Sequence, residues 1–466
     1  MTNSINQLSQ LWRDSGLDEE ALNYIETPEQ VPVFATSFHV GVAAQTSISA
    51  AALAAAEIWF KRTGARQHVS VDMNAAELEC TGYFSIDDRV PDAWAKFSGL
   101  YPCRDGHVRI HANFEHHRDG ILNLLGLPEA DKTEKNDVEK ALQSWQGEDF
   151  ETAAAAHGLV ASFSRSFEQW DIHPQAQMLN SEPLISIEKV AESAPLPLPA
   201  ITTGEQPLTH IKVLDLTRIL AGPICGRTLA AYGADVMLIN APQLPNIDSI
   251  IDTSRGKLSA HVDLRSENGI AALRTLAQQS DVFVQGYRPG GLDDLGFGAH
   301  DLCRRVPGLV YVSLSAYGHR GPWSSRRGFD SLVQTATGFN HAEAAAFGAA
   351  GPKAMPVQIL DYASGFLMAF AAQVALLKRA EQGGSWHVRI SLAQTANWLR
   401  SMGQRDHLDH LTFGKGDLRP LTRYLRAYDA GYGTLLAMPH AASFSETRWR
   451  WARPSVPPGT HPPVWP

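Results

Sequence analysis

Residues 212 to 240, KVLDLTRILAGPICGRTLAAYGADVMLIN, constrain this chain more than any other stretch. Val213, Leu214 and Leu216 form an apolar run, and Ala221-Gly222-Pro223 breaks it. Gly222 permits close backbone approach, and Pro223 suits the first turn of a helix. The helix runs on through Ile224 to Tyr232, Gly233 ends it, and Ala234 to Ile239 reads as a second buried strand. Strand, helix and strand make one βαβ unit, the building block of parallel sheets that hold ligands at the carboxyl ends of their strands. The unit has no G-x-G-x-x-G, so nicotinamide or flavin binding is not supported.

The chain has 466 residues, enough for two or three domains. Its net charge of −9 supplies no basic field for nucleic acid, so a phosphate-bearing ligand needs locally placed Arg or Lys. Four cysteines (Cys80, Cys103, Cys225, Cys303) are scattered without a C-x-x-C pair, which suggests reduced, buried thiols in a cytoplasmic protein. The opening MTNSINQLSQLWRDSG lacks the pattern of a secretion signal. The apolar stretch Val42 to Phe60 is rich in Ala and Ser and reads as a buried helix, so no membrane partner is expected.

Alternating Pro and Leu in APLPLPAITTGEQPLTH (194–210) predicts an extended linker. Beyond it, strands are predicted near 211–217, 234–240, 260–264, 281–287 and 309–315. An internal echo crosses the linker. WFKRTGARQHVSVDMNAAELE (59–79) and LLKRAEQGGSWHVRISLAQTANWL (376–399) both read helix end, Lys-Arg, turn and strand. From Pro420 onward the tail carries Trp449, Trp451 and Trp465 among many prolines. It is expected to wrap over another surface, because exposed tryptophans are costly in water.

LDLTRILAGP with LAAYGADV resembles the opening of the class III CoA-transferases, the CaiB/BaiF group that includes formyl-CoA transferase and the α-methylacyl-CoA racemases. SRGKLSAHVDL (254–264), DVFVQGYRPGGLDDLGFG (281–298), LVYVSLSAYGHRGP (309–322), RRGFDSLVQTATG (326–338) and LDYASGFLMAFAAQVALLKR (360–379) follow in that family's order. Together they cover about 170 residues, far more specific than a single motif. The resemblance implies an α/β fold, with a Rossmann-like parallel-sheet large domain and a smaller α+β domain. LYPCRDGHVRIHANFEHHRDGILNLLGLP (100–128) and LVASFSRSFEQWDIHPQAQMLN (159–180) resemble the family's small domain, here preceding the large one. The expected organisation is therefore a degenerate, small-domain-like partial copy at 1–193, the linker at 194–210, the Rossmann-like domain at 211–400 and an extended C-terminal arm at 401–466.

The resemblance places the catalytic carboxylate at Asp361. The residues agree: Asp361 follows an apolar stretch and opens a long apolar helix, where backbone N–H groups and the helix dipole favour the ionised form. Such a carboxylate can attack a thioester and pass CoA to an acceptor acid through a covalent aspartyl-CoA intermediate. Counted back from Lys-Arg, Asp361 falls opposite Ala44 in the first copy, which therefore has no nucleophile. The resemblance also implies CoA contacts at Leu220, Arg255, Lys257, Tyr287, Arg288, Leu295, Gly296, Arg327 and Phe329. Arg and Lys suit phosphate, the first as a bidentate fork and the second as a point charge.

CoA and its acyl thioesters would be substrates, with carboxylic acids as acceptors and no permanently bound cofactor. Two chains interlock as rings in that family, so the resemblance implies a homodimer. Several positions depart from the family pattern. Asn240 and Ala241 stand where an acid and sometimes Arg occur, Gly286 replaces Asn, Asp294 replaces a basic residue, and Leu220 replaces the Gln of formyl-CoA transferase. One alternative is a racemase, isomerase or dehydratase acting on acyl-CoA. The racemase His is Phe329 here, which cannot move a proton, and that favours transfer. Another alternative, prompted by Asp294, Ala241 and Ala44, is a non-catalytic CoA-binding or assembly protein. HANFEHH (111–117) read as an alternating strand cannot converge its histidines, so no metal is expected. His407 and His410, with Asp406 and Asp409, read as exposed helix residues.

Overall fold

The structure is a computed structural model that describes residues 3–202, 204–405 and 423–466. Its centre is a seven-stranded sheet. In chain order the strands are β1 (Ser186–Ala191), β2 (Lys212–Leu216), β3 (Asp235–Asn240), β4 (Lys257–His261), β5 (Val282–Gln285), β6 (Val310–Ser315) and β7 (Ser385–Ser391). They lie side by side as β4-β3-β2-β5-β6-β7-β1. All neighbours are parallel except β1, which pairs antiparallel with β7 at the edge. The six parallel strands follow the order of doubly wound nucleotide-binding sheets, whose ligand crevice lies where the order reverses. Here that point is between β2 and β5.

The five strands predicted beyond the linker are all present. β4 begins at Lys257, three residues before its predicted start at 260, and this moves Lys257 from the strand entry into the sheet. β1 is an addition that sequence periodicity did not reveal, because its edge position leaves it half-exposed and without a clean alternation. Residues 192–202 form neither helix nor strand.

Four helices matter for the site: α1 (Val40–Thr63), α2 (Ala221–Ala231), α3 (Asp330–Ala336) and α4 (Ile359–Gln382). α1 and α4 have 24 residues each, pack against one another, and lead respectively into a strand at Val69–Val71 and into β7. By length and composition each could cross a membrane, yet the apolar window of each is fully buried within the fold, as the Ala- and Ser-rich pattern of Val42 to Phe60 led one to expect for α1. Such all-round apolarity is what a helix at the centre of a core requires. α4 also packs on α2, and Gly365 permits the close approach: a Cβ there would lie 2.5 Å from the Ala221 carbonyl oxygen. This contact brings the first turn of α4 beside the 218–220 turn.

The first region adds a three-stranded antiparallel sheet (Gly99–Cys103, Gly106–Ile110, Ala161–Phe163) with its own core and flanking helices. Chain 426–444 forms three further strands that pair with one another and with strands of the first region. The remaining tail runs over the large sheet. Gly256 N–H donates to the Arg453 carbonyl, His461 N–H to the Ser259 carbonyl, and Trp465 Nε1 to the Leu276 carbonyl. His407, His410, Asp406 and Asp409 lie outside the described residues.

Candidate active site

A cavity of about 1080 Å³ opens beside the carboxyl end of β2. Part of its lining comes from segments beside the large sheet: Ile219, Leu220, Phe329, Asp361 and Tyr362. Another part comes from the first region, through Thr81 to Phe84, Val90 to Lys96, and His111. Ile219 holds φ at +77°, an uncommon conformation for a β-branched residue. Strain of this kind concentrates at functional sites, and here it turns the chain sharply between β2 and α2.

Asp361, in the first turn of α4, is 8% exposed and faces this cavity. Its carboxylate makes no hydrogen bond among the described residues. The helix N-terminus is instead capped by Asp330, which is fully buried at the start of α3. Asp361 N–H donates to Asp330 Oδ2 at 2.9 Å, the Leu360 N–H also faces that carboxylate, and Gln334 Nε2 donates to Asp330 Oδ1. The sequence reading, in which backbone N–H groups keep Asp361 ionised, is thus corrected: those donors serve Asp330. Burial pushes the Asp361 carboxyl well above the ordinary range, and the charge of Asp330 pushes it further. Burial also raises Asp330, to about 7, against the opposing pull of its N–H donors and of the Arg109 guanidinium. Two adjacent carboxyls in one apolar setting cannot both ionise readily.

Basic groups gather near the β2–β5 crevice, although neither they nor Tyr287 are among the residues that line the cavity, and Arg218 Nη2 donates to the Pro245 carbonyl. Arg218 follows β2, Arg288 follows β5, and Arg327 precedes α3. Burial lowers the pKa of Arg218, as does its neighbour Arg327; Arg327 is lowered likewise by burial and by Arg288. Arg327 Nη1 lies 3.5 Å from His117 Nε2. Tyr287 lies near enough to Arg218 for the two to interact electrostatically, while its ring packs on the sheet core. Mutually repelling arginines of this kind are suited to an anion, and Arg forks match phosphate oxygens. Sequence reading missed Arg218. The signal was present, since it sits in the turn after the first strand of the βαβ unit, where such sheets hold their ligands.

The remaining sequence candidates go elsewhere. Arg255 and Lys257 are buried and do not line the cavity. Lys257 Nζ donates to Asp215 Oδ2 and to the Pro223 carbonyl, both at 2.8 Å. Arg255 pairs with Asp252, donates to the Met438 carbonyl at 3.1 Å, and stacks 3.9 Å from the Trp451 ring. A guanidinium and an ammonium committed in this way cannot also reach solvent phosphate. Leu295 packs on the core beside the sheet, and Gly296 takes a left-handed turn at φ +74° near Arg274 and Arg305; neither lines the cavity.

HANFEHH is not one strand. Phe114 caps a helix at Glu115–Leu124, so the histidines converge after all. They meet aromatic rings: His111 stacks on Phe329 at 4.0 Å, and His116 and His117 lie 4.1 Å apart. Burial lowers His111 to about 3 and His117 to about 4, leaving both neutral at pH 7. Among the described residues no three His, Cys, Asp or Glu are placed to hold a metal ion.

The model of CoA-transferase family III matches residues 208–450. A Mycobacterium tuberculosis protein named "Probable fatty acyl-CoA transferase" is 32% identical over 243 residues, covering 49% of this chain and 61% of that protein. The succinyl-CoA:glutarate CoA-transferase of Mus musculus is 31% identical over 200 residues, covering 40% of this chain and 45% of that enzyme. A solved CAIB/BAIF family protein from Brucella suis is 27% identical at a TM-score of 0.37, covering 49% of this chain and 65% of that one. The chain spans about half the length of the curated relatives it matches.

Proposed function

This chain belongs to CoA-transferase family III, and from that premise we propose that it moves CoA from an acyl-CoA thioester to a carboxylic acid through a covalent intermediate on Asp361. The observation that carries this reading is the Asp361 carboxylate. It faces a large cavity, is removed from bulk water, and has no hydrogen-bond partner of its own.

In its ionised form an Asp361 oxygen attacks the thioester carbonyl, the C–S bond breaks, and CoA leaves as thiolate from an acyl-aspartyl anhydride. The thiolate then attacks the aspartyl carbonyl, the donor acid leaves as carboxylate, and Asp361 is left as its CoA thioester. An acceptor carboxylate reverses these steps and carries CoA away. No net proton is consumed. Each tetrahedral oxyanion needs preorganised donors. The first turn of α2 supports that role: it carries no side-chain cap and starts beside Leu220 at the cavity rim. Arg218, Arg288 and Arg327 are the groups we assign to the CoA phosphates. A low-dielectric setting makes Asp361 harder to ionise and, once ionised, a stronger nucleophile than a hydrated carboxylate.

The test is mass spectrometry of the protein after incubation with a panel of acyl-CoA thioesters. A CoA adduct on the peptide bearing Asp361, converted by hydroxylamine to the hydroxamate, is expected. Bound CoA with no adduct across the panel would end the transfer reading.

A further inference from the structure

The part of the cavity lining that comes from the first region is mostly apolar, with Thr81, Asp92, Lys96, His111 and Asn113 as its polar members. Tyr83, Phe84, Val90, Pro91 and Trp94 supply most of it. Among the described residues that line the cavity, the charged side chains are Asp92, Lys96, Asp248 and Asp361. Three of the four are carboxyls. The one cation is already committed, because Lys96 Nζ donates to the Thr133 carbonyl at 2.7 Å and to Glu134 Oε1 at 2.8 Å. The Arg109 guanidinium stacks on the Trp94 ring, 4.8 Å from its centroid, and does not line the cavity. His111 is stacked flat on Phe329 and adds another aromatic face.

We propose that the acyl group accepted here is uncharged and apolar, aliphatic or aromatic, and that Trp94 is the residue that sets this preference. The inference rests on the CoA-transfer reading of the same site. A second carboxylate on the acyl chain would be desolvated against a mostly apolar wall, next to aspartates and with no free cation among the lining residues, which is a costly burial. An apolar chain would instead cover Trp94 and its neighbours and gain hydrophobic contact with each methylene. An aromatic acyl group would also find ring faces to stack on. The opposite chemistry, that of a dicarboxylic acyl donor, requires an arginine or lysine where this wall presents carbon.

The experiment is equilibrium titration of the full chain with free CoA, hexanoyl-CoA, benzoyl-CoA and succinyl-CoA. All four share the CoA moiety, so differences report the acyl end. Hexanoyl-CoA and benzoyl-CoA are expected to bind at least about tenfold more tightly than succinyl-CoA. Succinyl-CoA binding as well as or better than hexanoyl-CoA would overturn the inference. Trp94 is 40% exposed, so Trp94→Ala leaves the core intact; it should erase most of the preference while leaving the affinity for free CoA unchanged. A preference that survives in Trp94→Ala would remove Trp94 from that role. The binding preference is read without turnover, so it stands or falls separately from the covalent adduct on Asp361. Failure of all four ligands to bind would overturn both readings.

Discussion

Asp330 accepts the backbone N–H of Asp361 at 2.9 Å, which places two carboxyl groups side by side at one buried helix start. One caps α4 and the other faces the cavity. Burial and the pairing both raise their proton affinity, and the helix-end donors partly counter this at Asp330 alone. The site is therefore held in a state that an unconstrained chain would avoid.

That state has a stability signature. The carboxyls bind protons more tightly in the folded protein than in the unfolded chain, so the folded state holds more protons as pH rises above about 4. Stability then falls with rising pH through the raised folded values, which include about 7 at Asp330. Asp361→Asn removes the conflict. It should stabilise the protein by about 1–2 kcal/mol at pH 8 and by little at pH 4.5, where both groups are protonated. Thermal unfolding of both proteins across that range checks the sign.

Asp330→Asn keeps an oxygen to accept the helix N–H but removes the charge beside Asp361. Asp361 should then ionise more readily. The acid limb of the pH–rate profile for CoA transfer is expected to move down by about one pH unit. A helix cap without electrostatic influence would change the maximal rate and leave the limb where it is, so the profile separates the two roles.

Arg327 is repelled by Arg288 and itself lowers the pKa of Arg218. Replacing any one with Gln should weaken CoA binding about tenfold, and raised salt should shrink that difference. Dephospho-CoA, which lacks the 3′-phosphate, identifies which arginine faces that group: its variant loses least against this ligand. Titration calorimetry in low and high salt provides the measurement.

Lys257 and Asp215 form a fully buried pair at 2.8 Å. Lys257→Met should cost about 3–5 kcal/mol, because it strands a carboxylate in the core. Joint replacement, Lys257→Met with Asp215→Leu, should recover much of that loss. In the double variant the Kd for CoA is expected to stay near the wild-type value, since neither side chain reaches the cavity. Denaturant unfolding and CoA titration on the same preparations separate stability from binding.

Much of the sheet was legible in the residues. The strands of residues 212–315 are short apolar runs bounded by turn residues, and their order along the chain already implied parallel crossovers. Asp361 was legible as a carboxylate opening a long apolar helix. Arg255 and Lys257 misled for a physical reason. A cation beside a strand reads alike whether it faces phosphate or a buried acid, and its acid may lie far away in sequence. Asp215 is 42 residues from Lys257, and Arg255 is held by the Met438 carbonyl 183 residues later. Asp330 had no readable role, because the donor it serves belongs to a helix that begins 29 residues on.

By itself, the amino-acid sequence determined the local elements, the parallel sheet and the helix that carries Asp361, because periodicity, turn residues and caps act over a few neighbours. Only the tertiary structure decided which charges are spent inside the core and which face a ligand. It also set the Asp330–Asp361 pair and brought a mostly apolar lining from the first region into the same cavity. Those outcomes depend on burial and on partners brought together by packing, and no short window of residues contains them.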